Sequence, residues 1–313
     1  NLTLEQINWR RYTIENKCNG DVKKFKQEYP SNDTEAFQST GHCVFDTHAL
    51  DYYTAQIVMS PKYRGYLRIK EMEQVEFIPH NDGYFEVWEN PKPNESYIVG
   101  ADVGVGSGVT EDAGGKDAND GAYSAAVVLK RRTKDTVALY HARLDPIKFA
   151  EELELIGRYY NNAVLAPERN NHGISTIVKL RDLGYRNIYH HKVFDADNWK
   201  DTELPGWSTD GKSKRYMIDY LREVIRKYYG LILSETIIGE CWTYIIDKGE
   251  MKAQSGCYSD TVIAAAIAYS VDNLLPLGNM GLDPGDSRAR IFGHGNKGRG
   301  AAHGYLNGKK HVY

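Results

Sequence analysis

The sequence lacks several patterns that mark common classes of protein. Its four cysteines include no CxxC pair, which argues against a cysteine-rich zinc site and favours a reducing, cytosolic setting. No window approaches the roughly 18 continuous apolar residues of a transmembrane helix, so we expect no membrane span. The glycine-rich stretch 104–108 does not have P-loop spacing, and we expect no P-loop and no ATP hydrolysis in this chain. The sequence does not begin with methionine, and we expect it to be a fragment of a longer protein.

The chain also lacks a strong excess of either charge. Its 39 basic and 42 acidic residues leave a net charge of -3, which excludes a protein coated in positive charge but permits a local basic face. The end of the chain is different, because residues 287–313 contain six lysines and arginines, six glycines and no acidic residue. We expect residues 276–313 to form a basic, flexible tail, which either contacts nucleic acid or a partner or is simply solvated.

Apolar and polar periodicity becomes regular from residue 96 onward. Strands are predicted at 97–102, 122–130 and 136–142, then a helix that begins at Pro146, a strand at 163–168 and a helix at 173–183. A strand at 186–191, a hairpin-like excursion at 194–211, and helices at 212–229 and 241–246 follow. An almost wholly apolar helix closes the pattern after Asp260. This order predicts an α/β fold with a mixed sheet and helices on both of its faces.

Three carboxylates fall at the ends of these elements. Asp102 ends the first strand, Glu168 ends the fourth, and Asp260 begins the apolar helix. The first and fourth strands can lie side by side and parallel, and functional residues gather at the carboxyl ends of such strands. Each residue also has a plainer interpretation: Asp102 as a turn residue, Glu168 beside a helix N-terminus, and Asp260 as a helix cap. One shared site explains all three positions together, and we prefer it.

Carboxylates that lie this close repel one another unless a cation balances their charge. Two divalent ions about 4 Å apart would activate water and stabilise the leaving oxygen of a phosphodiester. Three secondary candidates are weaker. Asp120 could bring a further carboxylate near the second strand or simply belong to a solvated loop. Asn171 and His172 could orient water or a phosphate near the metals, and His172 could equally be a helix-capping residue. We expect the glycines around Asp102 to leave room for a metal ion and a DNA strand to approach the backbone.

Six stretches, in order, resemble the large terminase subunit of tailed double-stranded DNA phages. They cover most of residues 1–275 and read LTLEQINWRR, FKQEYPSNDTEAFQSTG, YIVGADVGVG, YNNAVLAPERNNHG, GWSTDGKSK and YSDTVIAAAIAY. The resemblance implies an RNase H/RuvC-like nuclease domain at 96–275. It also implies that 1–45 is the end of a packaging ATPase or linker region, and that the short strands of 46–95 pack on the nuclease domain.

The resemblance further implies function and site residues. The nuclease would be a DNA endonuclease that cuts concatemeric double-stranded DNA with Mg²⁺ or Mn²⁺, and its acidic triad would be Asp102, Glu168 and Asp260. Where the family often has two adjacent aspartates, this sequence has Ser259 and Asp260. The terminase small subunit and the portal would be partners, and the host cell cytoplasm the location. The candidate DNA-contacting residues are Arg169, Lys200, Lys212, Lys214 and Arg215.

Two other interpretations compete with this one. Another RNase H-like nuclease, of the resolvase or integrase type, would share the sheet and the carboxylates but has no need of the upstream EYPSNDTEAF block. A DNA-binding or portal-docking module would use the basic tail and have a silent site. Cleavage of plasmid DNA separates the enzymes from the module.

Overall fold

The structure is a computed structural model that describes residues 3–30, 42–70, 74–106, 122–195, 200–227 and 230–276. Asp120 and all but the first residue of the predicted basic tail lie outside these ranges. The described strands are β1 (His42–Cys43), β2 (Tyr63–Ile69), β3 (Val75–Pro79), β4 (Phe85–Val87), β5 (Tyr97–Asp102), β6 (Ser124–Lys130), β7 (Asp135–Ala142), β8 (Val164–Pro167), β9 (His190–Asp195), β10 (Lys200–Pro205), β11 (Tyr244–Asp247) and β12 (Glu250–Ala253). The described helices are α1 (Leu4–Lys17), α2 (Val22–Glu28), α3 (Thr47–Tyr52, continued by a π-helical turn, Tyr53–Ile57), α4 (Pro146–Tyr159), α5 (Asn171–Asp182), α6 (Gly211–Lys227), α7 (Glu235–Thr243) and α8 (Asp260–Leu274).

A seven-stranded mixed sheet runs through the described protein in the order β3-β2-β4-β7-β6-β5-β8. β5, β6 and β7 form the antiparallel meander that the tight turns predict, and β8 lies parallel to β5. β6 is buried along its whole length, which is why it reads as an unbroken apolar run. The predicted α/β class, with a mixed sheet, is confirmed.

Two apolar cores cover the two faces of this sheet. The first includes Ile98 and Leu139 of the sheet and the buried residues of α6, α7 and α8. The second includes Val99 and Tyr140, whose side chains point the opposite way, and packs against α4 with part of α5. Because successive side chains of β5 and β7 point to opposite faces, each strand contributes residues to both cores. The helices lie on both faces of the sheet as predicted.

The apolar helix α8 packs directly on β5 because Gly100 has no side chain. A Cβ built at Gly100 would lie 2.2 Å from the carbonyl oxygen of Ala264 and 2.4 Å from the backbone nitrogen of Ala268. At Gly104 it would lie 2.2 Å from the carbonyl oxygen of Tyr123. Protein backbone fills the space that we expected a metal ion or DNA to use, so that interpretation of these two glycines was wrong. Gly100 instead fixes the height of α8 above the sheet.

Two predicted elements differ from the structure. Of residues 186–191, only Ile188 bridges β8, at Leu165, and His190 begins a separate hairpin in which β9 pairs with β10. The chain leaves the main sheet at His190, because β9 forms its hydrogen bonds with β10 and not with β8.

The helix predicted at 241–246 ends at Thr243, and the chain continues as the β11–β12 hairpin. Lys248 and Gly249 have φ values of 50° and 87°, the two positive values that a tight hairpin turn requires. This turn signal was missed in the sequence. None of the helices in the described ranges is long and apolar enough to span a membrane.

Candidate metal-binding site

The parallel pairing of β5 with β8 brings Asp102 and Glu168 side by side. Ala101 pairs with Pro167, and the backbone N–H of Glu168 donates to the carbonyl of Ala101 at 2.7 Å. One step further along the same register, Asp102 and Glu168 are opposite each other and point to the same face of the sheet. Their carboxyl groups are hydrogen-bonded to each other. The structure thus brings together the two strand-end carboxylates as the sequence predicted.

Asn170 holds Glu168 in place. Its side-chain nitrogen donates to Glu168 Oε2 at 3.0 Å and to the carbonyl of Val103 at 3.2 Å, while its oxygen accepts from the backbone N–H groups of His172 and Gly173. Asn170 is therefore the N-cap of α5, and Glu168 is left to face Asp102. Sequence reasoning missed Asn170, although an asparagine directly before a helix is a recognisable cap signal.

Asp260 is the first residue of α8 but does not cap it. Glu240 of α7 supplies the cap, because its Oε2 accepts from the backbone N–H groups of Thr261 at 2.9 Å and Val262 at 3.2 Å and from the Thr261 hydroxyl at 2.6 Å. Ser259, at the N-cap position, makes no side-chain capping bond. Asp260 Oδ2 is buried and has no hydrogen-bond partner in the structure. The plainer interpretation of Asp260 as a cap is wrong for this chain.

Three carboxyl groups in this region hold their protons more tightly than usual. Burial, then the neighbouring charge of Glu168 and the hydrogen bond with it, raise the pKa of Asp102 well above its ordinary value, and Asp260 and Glu240 add smaller repulsions. Burial raises the pKa of Asp260 to about 6. Burial also raises the pKa of Glu240 to about 7, against hydrogen bonds from Thr261 and Val262 that lower it. Oxygen ligands that are crowded, buried and partly unpaired fit a hard divalent cation.

A histidine that the sequence analysis did not select lies beside Asp260. Potential ligand atoms of His141, Glu240 and Asp260 all lie within 4.8 Å of one another. Burial lowers the pKa of His141 to about 4, so its imidazole is neutral at pH 7. His141 is the next-to-last residue of β7, near the end of the strand but not at it as Asp102 is, so a strand-end argument widened by one residue and applied to the third strand would have found it. Glu240 lies inside a helix and had no such signal.

The secondary candidates lie at the edge of this cluster or outside the described ranges. Asn171 and His172 occupy the exposed first turn of α5, and none of the contacts described for them joins their side chains to Asp102, Glu168 or Asp260. Asp120 lies outside the described residues.

Backbone bonds tie the candidate DNA-contacting segment to the site. The Trp207 N–H donates to the Pro167 carbonyl at 2.8 Å, and the Arg169 N–H donates to the Trp207 carbonyl at 2.6 Å. Glu168 and Trp207 form an isolated parallel bridge. Lys200 begins β10 opposite Asp195, and Lys212, Lys214 and Arg215 lie in the first turns of α6, where Lys212 and Arg215 are exposed. The β9–β10 hairpin and the start of α6 therefore continue directly from the Glu168 edge.

One stretch does have P-loop spacing, contrary to our expectation from the sequence. Residues 206–213 read GWSTDGKS and join β10 to α6. A P-loop binds phosphate through free backbone N–H groups, but here Asp210 Oδ1 accepts from the N–H groups of Lys212 at 2.8 Å and Ser213 at 2.7 Å. The hydrogen bonds from these two N–H groups lower the pKa of Asp210, and the bond from Ser213 has the larger effect. Its carboxylate thus caps α6 where a phosphate would have to bind.

No protein-family model matches the sequence, and none of the curated proteins searched matches it. Among solved structures, the chain is similar to the large terminase nuclease from thermophilic phage G20c with bound magnesium. The identity is 19%, the TM-score is 0.50, and the match covers 73% of this chain and 97% of that one. The Thermus phage P74-26 large terminase nuclease domain is 19% identical over 71% of this chain and 94% of its own, with a TM-score of 0.44. The likeness to the magnesium-bound structure shows that this chain shares the fold of that large terminase nuclease, as the sequence predicted.

Proposed function

We propose that this chain is the metal-dependent DNA endonuclease part of a phage packaging terminase. The observation that carries the proposal is the convergence of Asp102, Glu168 and Asp260 on one edge of the sheet, where the pKa values of Asp102 and Asp260 are raised. Such a cluster is costly in a folded protein unless a cation balances it. The fold supports the same interpretation, because the similar G20c structure is that of a large terminase nuclease with bound magnesium.

Asp102, Glu168 and Asp260 would hold Mg²⁺ or Mn²⁺. Two such ions, when bound, supply an activated water and charge stabilisation for phosphodiester hydrolysis. The protein's own residues orient the ligands: Asn170 fixes the Glu168 carboxylate, and Glu240 caps α8 so that the Asp260 side chain stays free of that role. Hydrogen bonds from neighbouring residues that orient the metal ligands in this way keep a metal site in its productive arrangement.

Double-stranded concatemeric DNA is the substrate that we propose. Backbone bonds join Trp207, in the segment between β10 and α6, to Pro167 and Arg169, which supports the proposal that Arg169, Lys200, Lys212, Lys214 and Arg215 contact DNA beside the site. Contacts with phosphates from such residues would position DNA without selecting its sequence. By the same proposal, residues 96–275 are the nuclease domain, the small subunit and the portal are partners, and the protein acts in the host cytoplasm.

Nicking of supercoiled plasmid with Mn²⁺ tests this function. We expect the 313-residue chain to cut and chelation of the metal to stop it. Asp102→Asn, Glu168→Gln and Asp260→Asn keep the size of each side chain and should each lower the rate at least about 100-fold, the upper end of the cost of changing a metal-site residue.

Asp219→Asn is the matched control, because Asp219 is an exposed carboxylate of α6 that pairs with Arg222. If the three site variants cut like the Asp219 variant, the site is wrong. If the parent binds DNA and never cuts it with any divalent metal, the chain is a binding module and the proposed function fails.

A further inference from the structure

His141 lies in the same row of the sheet as the two strand-end carboxylates. Asp102 pairs with Ala125 across β5 and β6, and Ala125 pairs with His141 across β6 and β7. Direct cross-strand partners point to the same face, so His141 and Asp102 project from one face with only the small Ala125 between them. Strands lie about 4.8 Å apart, which separates the two backbones by roughly 10 Å. Glu240 of α7 and Asp260 of α8 both raise the pKa of Asp102, and both lie close to His141.

Asp260 and Glu240 complete a cluster around His141. Their potential ligand atoms lie within 4.8 Å of one another, and Glu240 is only 8% exposed. Two atoms of this cluster, His141 Nε2 and Asp260 Oδ2, are buried without a hydrogen-bond partner in the structure. Packing alone does not account for this, because a direct imidazole–carboxylate hydrogen bond would have satisfied both atoms at once.

The spacing leaves room for an ion between the groups. Ligand atoms at 2.0–2.1 Å from an octahedral ion are about 3 Å apart when adjacent and about 4 Å apart when opposite. The potential ligand atoms of this cluster lie within 4.8 Å of one another, so small side-chain movements would bring them to the distances that a bound ion requires. Tyr123 holds the imidazole in place, since the two rings lie 4.4 Å apart at an angle of 32°. The ring is thus fixed from one side and unpaired on the other.

We propose that His141 and Glu240 join Asp260 in holding one of the two metal ions of the proposed site, so that these three residues form a subsite that shares Asp260 with the subsite of Asp102 and Glu168. Its nitrogen ligand favours Mn²⁺ or another transition-metal ion over Mg²⁺, which prefers oxygen ligands. The role of this subsite in DNA cleavage rests on the proposed function, but the binding of metal by His141 does not. The subsite makes His141 a metal ligand rather than only a core histidine.

Pulsed electron paramagnetic resonance of Mn²⁺ bound to the whole chain tests this directly, because it detects nitrogen nuclei that coordinate the ion. We expect nitrogen coupling in the parent protein without DNA. The coupling should disappear in His141→Gln and persist in His80→Gln, whose histidine is exposed and lies outside the cluster. The weaker of the Mn²⁺ affinities should fall at least about tenfold in His141→Gln.

The outcomes separate the subsite from the proposed nuclease. If the parent shows no nitrogen coupling at saturating Mn²⁺, the subsite is refuted, whatever the variants do. Coupling that survives in a folded His141→Gln protein also refutes it. Plasmid cleavage without nitrogen coupling refutes the subsite and leaves the nuclease standing. Nitrogen coupling that depends on His141 in a chain that never cuts DNA supports the metal subsite and refutes the nuclease.

Discussion

Replacing Asn170 separates the stability of α5 from the orientation of Glu168. Asn170 accepts from the N–H groups of His172 at 3.1 Å and Gly173 at 2.7 Å, and its nitrogen donates to Glu168 Oε2 at 3.0 Å. Asn170→Ala removes both roles. Loss of an N-cap side chain costs about 0.5–2 kcal/mol, and two short bonds place this cap in the upper half of that range, at about 1–2 kcal/mol.

Asn170→Ser is the matched control, because serine caps helices about as well as asparagine but is too short to reach Glu168 as the amide does. We expect the free energy of unfolding, measured in urea, to fall in Asn170→Ala and to stay within about 0.5 kcal/mol of the parent in Asn170→Ser. Mn²⁺-dependent nicking should fall about 10–100-fold in both, because the Glu168 carboxylate loses its fixed orientation. A serine variant that is as stable as the parent and nicks at the parent rate would refute the positioning role of Asn170.

Three further predictions concern α8, the carboxylates and the P-loop-like stretch. Gly100→Ala should lower the free energy of unfolding by about 1–3 kcal/mol in urea, since its Cβ would meet the backbone of α8, and an unchanged midpoint would contradict that packing. Without metal, stability should fall as the pH rises from 4 through about 6 and 7, because Asp260 and Glu240 have raised pKa values and the folded chain binds more protons than the unfolded chain. Thermal melts in the presence of chelator measure how stability depends on pH, and a stability that rises over this range would contradict the prediction. Addition of Mn²⁺ at 100 times its Kd should raise the free energy of unfolding by about 2.7 kcal/mol at pH 7. ATP should not bind in calorimetry, because Asp210 occupies the N–H groups of Lys212 and Ser213, and saturable binding that Lys212→Ala abolishes would contradict this.

Local patterns predict much of this fold because they reflect which residues are buried. β5 ends at Asp102, as predicted, because an apolar run meets a single charge there. The antiparallel meander and the parallel neighbour β8 follow from element order and connection length. The β11–β12 hairpin was missed because Tyr244 and Ile245 are buried, which suits a helix or a strand equally in so short a run.

The site was only partly predictable for a different reason. Asp102, Glu168 and Asp260 stand at the ends of elements, where a charge beside an apolar run is visible in one dimension. Glu240 lies inside α7, and its role depends on how α7 packs against the start of α8. Long-range contacts of that kind leave no mark on the local sequence. His141 lies one residue before the end of β7, so it had a weaker signal than Asp102, and finding it required the strand-end rule to be applied to every strand and widened by one residue.

The central claim is that Asp102, Glu168 and Asp260 together bind divalent metal. A crystal structure of the chain soaked in Mn²⁺, with the ions located by anomalous scattering, tests it most directly. We expect Mn²⁺ in contact with oxygens of all three side chains, and no ion there in crystals of Asp102→Asn soaked in the same way. A soaked parent crystal with Mn²⁺ elsewhere on the protein and none among these carboxylates would contradict the account.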